Sequence, residues 1–281
     1  MFKFSCLGED HKTVRAISDG ETPLKEDFFD KTTKAIENVY KRYAPWDIRE
    51  WFKKDMQWGP PLYIPLDIEA DFRSQVYANL ISQKNGNTLL SKNNDTCVLH
   101  AEVGVGWVNG IESILKKPRY SKPSAGRKIT NHMKLDLAFV DVGRHSPPFE
   151  EAWGNSLGDA CRDVKLNGAV ELKRNFNQGL DNLLTDLNKL RAVADAMRRT
   201  HTRNFWAIFA TTAFWYGPSG TNRKETKENF EAVLKQIRAL NDEKYRFRLR
   251  SYHANKAAAQ KSNRNAIITE DSTIEDLDYT R

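Results

Sequence analysis

The stretch GAVELKRNF, residues 168–176, carries a carboxylate and an ammonium group one residue apart in an otherwise apolar segment. Its composition predicts a short buried strand. Side chains two apart on a strand point to the same face, so Glu171 and Lys173 emerge side by side while Leu172 packs behind them. Ionised groups resist burial unless they are paired or bind an ion. The earlier segment KLDLAFVDV places Asp136 in a similar apolar setting. A lone carboxylate followed by Glu-x-Lys on a later strand suits phosphodiester cleavage with a divalent metal.

The elements that must position these residues are indicated by the spacing of apolar side chains. Helical spacing predicts amphipathic helices, and short apolar or alternating runs predict strands. The expected order is a helix (67–83, with Asp67 as N-cap), three strands (96–107, 134–142 and 168–176), a helix (180–197), a strand (204–214), a helix (225–240) and a strand (245–253). The helix at 67–83 buries Ile68, Phe72, Val76 and Leu80, and Glu69 stands on the shoulder of that stripe.

The two ends of the chain are expected to lie outside this core. Helical spacing over 26–43 predicts a helix that ends at Ala44-Pro45, because the residue before proline avoids the helical region. A second short helix is expected over 47–57. We therefore expect a helical extension at 1–60, a catalytic domain at 61–254 and a polar tail at 255–281.

Two basic features have alternative interpretations. Residues 116–134 hold seven Lys or Arg and no acid, which is typical either of a solvated loop or of a nucleic-acid contact. The strand at 245–253 alternates, with Arg246, Arg248 and Arg250 outward; these arginines either protect a sheet edge, which we favour, or meet phosphate. The strand at 96–107 also alternates, with Leu99, Ala101, Val103, Val105 and Trp107 on one side and His100 and Glu102 on the other.

With Asp136 and then Glu171-x-Lys173 on successive strands, the chain resembles the PD-(D/E)xK phosphodiesterase superfamily, also called restriction-endonuclease-like. The resemblance covers roughly residues 65–215 and implies an α/β fold with a mixed central sheet flanked by helices. It departs from the family pattern in two places. Leu135 precedes Asp136 where many members have proline, and the long spacing to Glu171 requires an insertion at 143–167.

The resemblance implies a metal site that binds Mg²⁺, with Mn²⁺ as a substitute. Asp136, Glu171 and the carbonyl of Leu172 would bind the metal, and Lys173 would hold or help deprotonate the attacking water or stabilise the pentavalent state. Many members add a glutamate from the first core helix, which by position is Glu69; Glu102 is the competing candidate. Oxygen ligands suit these hard cations. The implied products carry 5′-phosphate and 3′-hydroxyl ends.

Composition is compatible with a polyanionic partner. The 281-residue chain has a formal net charge of +7, and 40% of its residues are hydrophobic, enough for a substantial core. Three dispersed cysteines argue against a disulfide framework, and Cys97-x-x-His100 has no second pair to complete a zinc site. We expect a cytoplasmic protein that does not enter the membrane. No phosphate-binding loop or nucleophile elbow is present in the sequence.

These inferences predict a metal-dependent deoxyribonuclease, with DNA as partner and a role in restriction, defence or phage biology. Cutting both strands of a duplex usually needs two active sites, so we expect a homodimer. Trp46, Trp51 and Trp58 would pack either against a partner subunit or back onto the domain. The alternatives are an inactive nucleic-acid-binding module of the same fold, a nuclease acting on RNA or branched DNA, and a basic structural partner of another protein.

Overall fold

The structure, a computed structural model, describes residues 26–53, 69–81, 97–121, 126–141, 164–173, 176, 179–200, 204–211, 220–252 and 267–273. The helices in these ranges are α1 (Glu26–Lys53), α2 (Glu69–Ile81), α3 (Ile111–Leu115), α4 (Pro118–Ser121), α5 (Leu180–Thr200) and α6 (Gly220–Asp242). The strands are β1 (Cys97–Gly104), β2 (Lys134–Asp141), β3 (Lys165–Lys173), β4 (Trp206–Thr211), β5 (Arg246–Tyr252) and β6 (Ile267–Thr269). A 3-10 turn, Val105–Trp107, follows β1.

The described strands form one mixed sheet in chain order. The pairs β1–β2, β2–β3 and β5–β6 are antiparallel, whereas β3–β4 and β4–β5 are parallel. Parallel neighbours need a long crossover connection, and α5 and α6 lie in the two connections that join β3 to β4 and β4 to β5. The expected α/β class, with a mixed central sheet flanked by helices, is therefore confirmed. The restriction-endonuclease-like arrangement stays a prediction.

An apolar core lies on each face of the sheet, and the amphipathic helices supply both. One core holds the buried residues of α5 and α6, including Leu183, Leu187, Leu190, Phe230, Val233 and Ile237. The other holds those of α1 and α2, including Ile36, Tyr40, Phe72, Val76 and Leu80. The helical stripes expected from spacing are confirmed at these positions. Among the described helices, none is long and apolar enough to cross a bilayer.

The N-terminal helix is longer than its sequence predicts. The expected end at Ala44-Pro45 is wrong, because α1 continues as one helix to Lys53 and includes most of the expected second helix. Proline removes one backbone donor and crowds the preceding turn, but a long helix can pass through it with a kink. Phe29 and Ile36 fix the first half of α1 against the sheet, so tertiary packing supports the element. The N-cap expected at Asp67 lies outside the described residues.

The arginines of β5 do not protect a sheet edge. In the described sheet β5 lies between β4 and β6, so its outward face is not an edge. Arg248 pairs with Asp30 of α1 at 2.6 Å, and Arg250 pairs with Glu37 of α1 at 2.9 Å. These contacts attach α1 to the sheet. The inward side is as expected, with Tyr245, Phe247 and Leu249 buried.

The C-terminal segment also differs from expectation at the residues that are described. Ile267–Thr269 forms β6 and pairs with β5, where a polar tail was expected. Glu270 explains why this short strand is held in place, since its carboxylate pairs with Arg250 at 2.8 Å and accepts a hydrogen bond from the backbone N–H of Leu249. The rest of 255–281 lies outside the described residues.

The alternation expected along β1 fails at Glu102. Glu102 has a positive φ of 55°, a conformation that is uncommon outside glycine, asparagine and aspartate. As a result Leu99 and Val103, which would share a face of a regular strand, pack into different cores. Ala101 is exposed and Trp107 is 47% exposed, whereas Leu99, Val103 and Val105 are buried, so the prediction that these five residues share one side of the strand is wrong.

Candidate active site

The strands β2 and β3 bring two acidic residues together. Their antiparallel register pairs Leu137 with Val170, and the next residue of β2, Asp136, accepts a hydrogen bond from the backbone N–H of Leu172, the neighbour of Glu171 on β3. β2 is irregular at this point, because Leu135 and Leu137 pack into different cores although they are two residues apart. Asp136 therefore lies at the point in β2 where the buried side chains switch from one face of the sheet to the other. Such irregular positions are common next to functional sites.

Asp136 is held by partners from two elements. Its Oδ2 accepts a hydrogen bond of 2.8 Å from the backbone N–H of Leu172, and its Oδ1 accepts one of 3.3 Å from the guanidinium of Arg73 on α2. Both bonds orient the carboxylate, while its oxygens retain lone pairs for a further contact. Arg73 was not among the expected site residues.

Glu171 is almost fully buried and lies between two lysines. Its Oε1 is 3.0 Å from Nζ of Lys173, and its Oε2 is 2.8 Å from Nζ of Lys189 on α5. The second contact is close but poorly aligned, so Oε2 lacks a well-formed hydrogen bond. Burial, reinforced by the charge of Asp136 and opposed by Lys189, raises the pKa of Glu171 to about 8. A buried carboxylate with this environment favours the approach of a further cation.

Lys173 is surrounded by carboxylates. Besides Glu171, its Nζ lies 3.1 Å from Asp186 of α5 and 3.8 Å from Glu69 of α2. Burial disfavours the charged form, but Glu171 and Asp186 outweigh it and raise the pKa of Lys173 above its ordinary value. Lys173 is therefore a fixed cation that joins β3 to helices on both faces of the sheet.

Of the two candidates for an additional carboxylate, Glu69 lies nearer to this group. Glu69 opens α2, and burial together with the charge of Asp136 raises its pKa against the opposing effect of Lys173. Glu102 is instead exposed and paired with Lys134 at 2.8 Å and with Arg73 at 2.9 Å. Arg73 thus bridges Glu102 to Asp136, which makes Glu102 a support for the guanidinium.

Asp186 and Lys189 join the site from α5, the helix expected at 180–197. Lys189 is 4% exposed and pairs with Asp186 at 3.0 Å across one helical turn. It also donates a hydrogen bond of 2.7 Å to the backbone carbonyl of Lys134. The available signal was Asp-x-x-Lys on the apolar side of an amphipathic helix, next to Leu187 and Leu190.

The charges of this cluster leave room for a cation. Four carboxylates (Glu69, Asp136, Glu171 and Asp186) face three cationic side chains (Arg73, Lys173 and Lys189), an excess of one negative charge when all are ionised. Within the described residues, no group of three or more His, Cys, Asp or Glu side chains is already arranged to hold a metal ion. The donor chemistry still fits Mg²⁺, because the acids offer oxygen ligands and the buried Oε2 of Glu171 lacks an aligned partner.

Comparisons with known proteins identified no relative of this chain. No family model, curated protein or solved structure matched the chain. Function is therefore inferred from the residues of the site and their geometry.

Proposed function

We propose that the protein is a metal-dependent nuclease that hydrolyses phosphodiester bonds of DNA. The observation that carries the proposal is the meeting of Asp136 and Glu171 on neighbouring strands, with the ammonium group of Lys173 3.0 Å from Glu171. The restriction-endonuclease-like expectation implies these three residue types on these elements. Glu69 supports the same site from α2, since its carboxylate lies 3.8 Å from Lys173.

In this proposal each side chain has a separate task. Asp136, Glu171 and the carbonyl of Leu172 would hold Mg²⁺ or Mn²⁺, with Glu69 as a further ligand directly or through water. When bound, the metal neutralises charge at the phosphate and lowers the pKa of coordinated water. Lys173 stabilises negative charge that develops on the phosphate, because a preorganised cation in a partly buried site needs little reorganisation. Arg73 and Lys189 orient Asp136 and Glu171.

The proposal is tested by incubating the purified protein with supercoiled plasmid, linear duplex and single-stranded DNA in Mg²⁺, Mn²⁺ or EDTA. We expect cleavage with either metal and none in EDTA. Asp136→Asn and Lys173→Met are each expected to lower the rate at least about a hundredfold, because the first removes a metal ligand and the second removes the cation that stabilises charge on the phosphate. Circular dichroism and thermal unfolding show whether each variant is folded.

The control variants are Lys224→Met and Glu228→Gln, which change a solvent-exposed ion pair on α6. Both are expected to cleave at the unaltered rate. Cleavage that persists in folded Asp136→Asn, or that is independent of metal, would rule out this site as the source of activity. Repeating the assay with RNA and branched DNA distinguishes a nuclease with another substrate.

One observation favours a second function, an inactive nucleic-acid-binding module of the same fold. Lys189 and Lys173 already neutralise Glu171, and no ready-made group of three metal ligands occurs in the described part of the chain. A binding module would retain DNA in EDTA with the same affinity as in Mg²⁺, and Glu171→Gln would leave that affinity unchanged. A calorimetric titration of the protein with Mn²⁺ separates the two functions. A nuclease should bind Mn²⁺, and the Asp136→Asn variant should not, whereas a binding module should show no Mn²⁺ binding that depends on Asp136.

A further inference from the structure

Trp107 is the one large hydrophobic side chain that is exposed in the described part of the structure, at 47%. It ends the 3-10 turn after β1, and its indole ring packs over Gly104, where an added Cβ would lie 3.4 Å from the ring. One face of the indole thus has a support while the side chain remains open to solvent. A single exposed apolar residue is normal on a protein surface. A functional role for Trp107 is therefore inferred from the residues around it.

The turn that carries Trp107 is attached to a basic segment, residues 126–134. The backbone N–H of Val105 donates to the carbonyl of Met133 at 2.7 Å, and that of Gly106 donates to the carbonyl of Asn131 at 3.1 Å. The segment exposes four basic or titratable side chains: Arg127, Lys128, His132 and Lys134. Glu102, an acid that contacts this segment, pairs with both Lys134 and Arg73. An exposed aromatic ring beside positive charge is the composition of a nucleic-acid contact.

This surface is continuous with the candidate active site. Gly104, under the indole, pairs with Lys134 across β1 and β2, and Lys134 is two residues from Asp136. Two residues of a strand span about 7 Å, roughly the separation of successive phosphates. The carbonyl of Lys134 also accepts the hydrogen bond from Lys189, whose ammonium group contacts Glu171. A nucleotide on Trp107 would therefore lie within about one or two nucleotides of the acidic residues.

We propose that Trp107 stacks an unpaired nucleobase of the substrate while the segment 126–134 contacts the neighbouring phosphates. This inference rests on the proposed nuclease function and specifies its substrate as single-stranded or locally unpaired nucleic acid. In a duplex the faces of the bases are stacked on one another, so a fixed indole reaches them only where pairing is absent. Stacking tolerates any base, and the contact would add affinity without sequence specificity.

The test measures binding in EDTA, so it does not require cleavage. Fluorescence anisotropy with labelled oligothymidine and with a blunt duplex of equal length is recorded for the full chain and for Trp107→Ala, Trp107→Phe and the exposed control Lys224→Ala. Trp107→Ala is expected to weaken single-strand binding about tenfold, because removal of one stacking side chain has an effect of that order. Duplex binding should change less than about twofold, and Trp107→Phe should retain most of the affinity.

A second measurement locates the contact directly. Halogenated-uracil oligonucleotides crosslink to aromatic side chains on irradiation, and mass spectrometry should map the crosslink to the peptide that contains Trp107. Unchanged single-strand affinity in Trp107→Ala, equal losses for duplex and single strand, or no single-strand binding by the unaltered protein would each overturn the inference. If cleavage depends on Asp136 but binding does not depend on Trp107, only this inference fails. If binding depends on Trp107 but no substrate is cleaved, the nuclease proposal fails instead.

Discussion

Lys189 contacts more of the candidate site than any other residue contributed by α5. Its ammonium group lies 2.8 Å from Glu171 and 3.0 Å from Asp186, and it donates a hydrogen bond to the carbonyl of Lys134. Burial opposes its charged form, but Glu171 and Asp186 outweigh that effect and raise its pKa. The residue is therefore a buried cation that fixes β2, β3 and α5 relative to one another.

Replacing Lys189 by methionine tests this role. Met has a similar length but no charge, so Lys189→Met removes one of the two ammonium groups that Glu171 and Asp186 share and leaves both carboxylates to Lys173. Loss of a buried ion pair of this kind costs about 3 kcal/mol in the free energy of unfolding. We expect a lower urea midpoint measured in EDTA and, because Glu171 is no longer oriented, slower cleavage. Lys224→Met, the same substitution at an exposed helical position, is the matched control. An unchanged midpoint for Lys189→Met would contradict a stabilising role for this ion pair.

At the scale of elements, helices and strands with regular spacing of apolar residues were predicted correctly, whereas features that depend on irregular backbone geometry were missed. The stripes of α2, α5 and α6 and the apolar runs of β2, β3 and β4 follow directly from residue spacing. Glu69, Asp136, Glu171 and Lys173 each lie on one of these elements, and the restriction-endonuclease-like resemblance implied that they form one site. The face change at Glu102 could not be anticipated, since a positive φ at a glutamate is imposed by the surrounding structure. Lys189 was missed for a related reason: its burial depends on a carboxylate from another element.

The contact between β3 and β4 predicts the effect of one glycine. Gly168 pairs with Trp206, and a Cβ on Gly168 would lie 2.2 Å from the buried indole ring. Gly168→Ala is therefore expected to overpack the sheet and destabilise the protein by about 2–3 kcal/mol, a fall of roughly 4–6 °C in Tm by calorimetry. Gly104→Ala is the control, because its Cβ would meet only an ordinary contact of 3.4 Å. Equal thermal stability of the two variants would show that Trp206 can move aside.

At the scale of the whole molecule, the question is whether the first sixty residues form a helical extension outside the core, as the sequence predicts. In the structure α1 supplies five large buried hydrophobic residues to the core on its face of the sheet: Phe28, Phe29, Ile36, Val39 and Tyr40. The phenol of Tyr40 donates to the backbone of β5 at the carbonyl of Arg250, and Asp30 and Glu37 pair with β5 arginines. These contacts make α1 part of the layer that covers the sheet.

A fragment beginning at residue 61 is therefore expected not to fold. Burial of a large apolar side chain contributes about 2 kcal/mol, so loss of five removes about 10 kcal/mol, comparable with the entire net stability of a typical domain. We expect the 61–281 fragment to be aggregated or to lack a cooperative thermal transition by circular dichroism, whereas the full chain unfolds cooperatively. The point variant Ile36→Ala should lower stability by about 3 kcal/mol, while the exposed neighbour Lys34→Ala should have little effect. A 61–281 fragment that unfolds cooperatively and retains metal-dependent cleavage would support the predicted extension at 1–60. It would also show that α2 alone is enough to cover this face of the sheet.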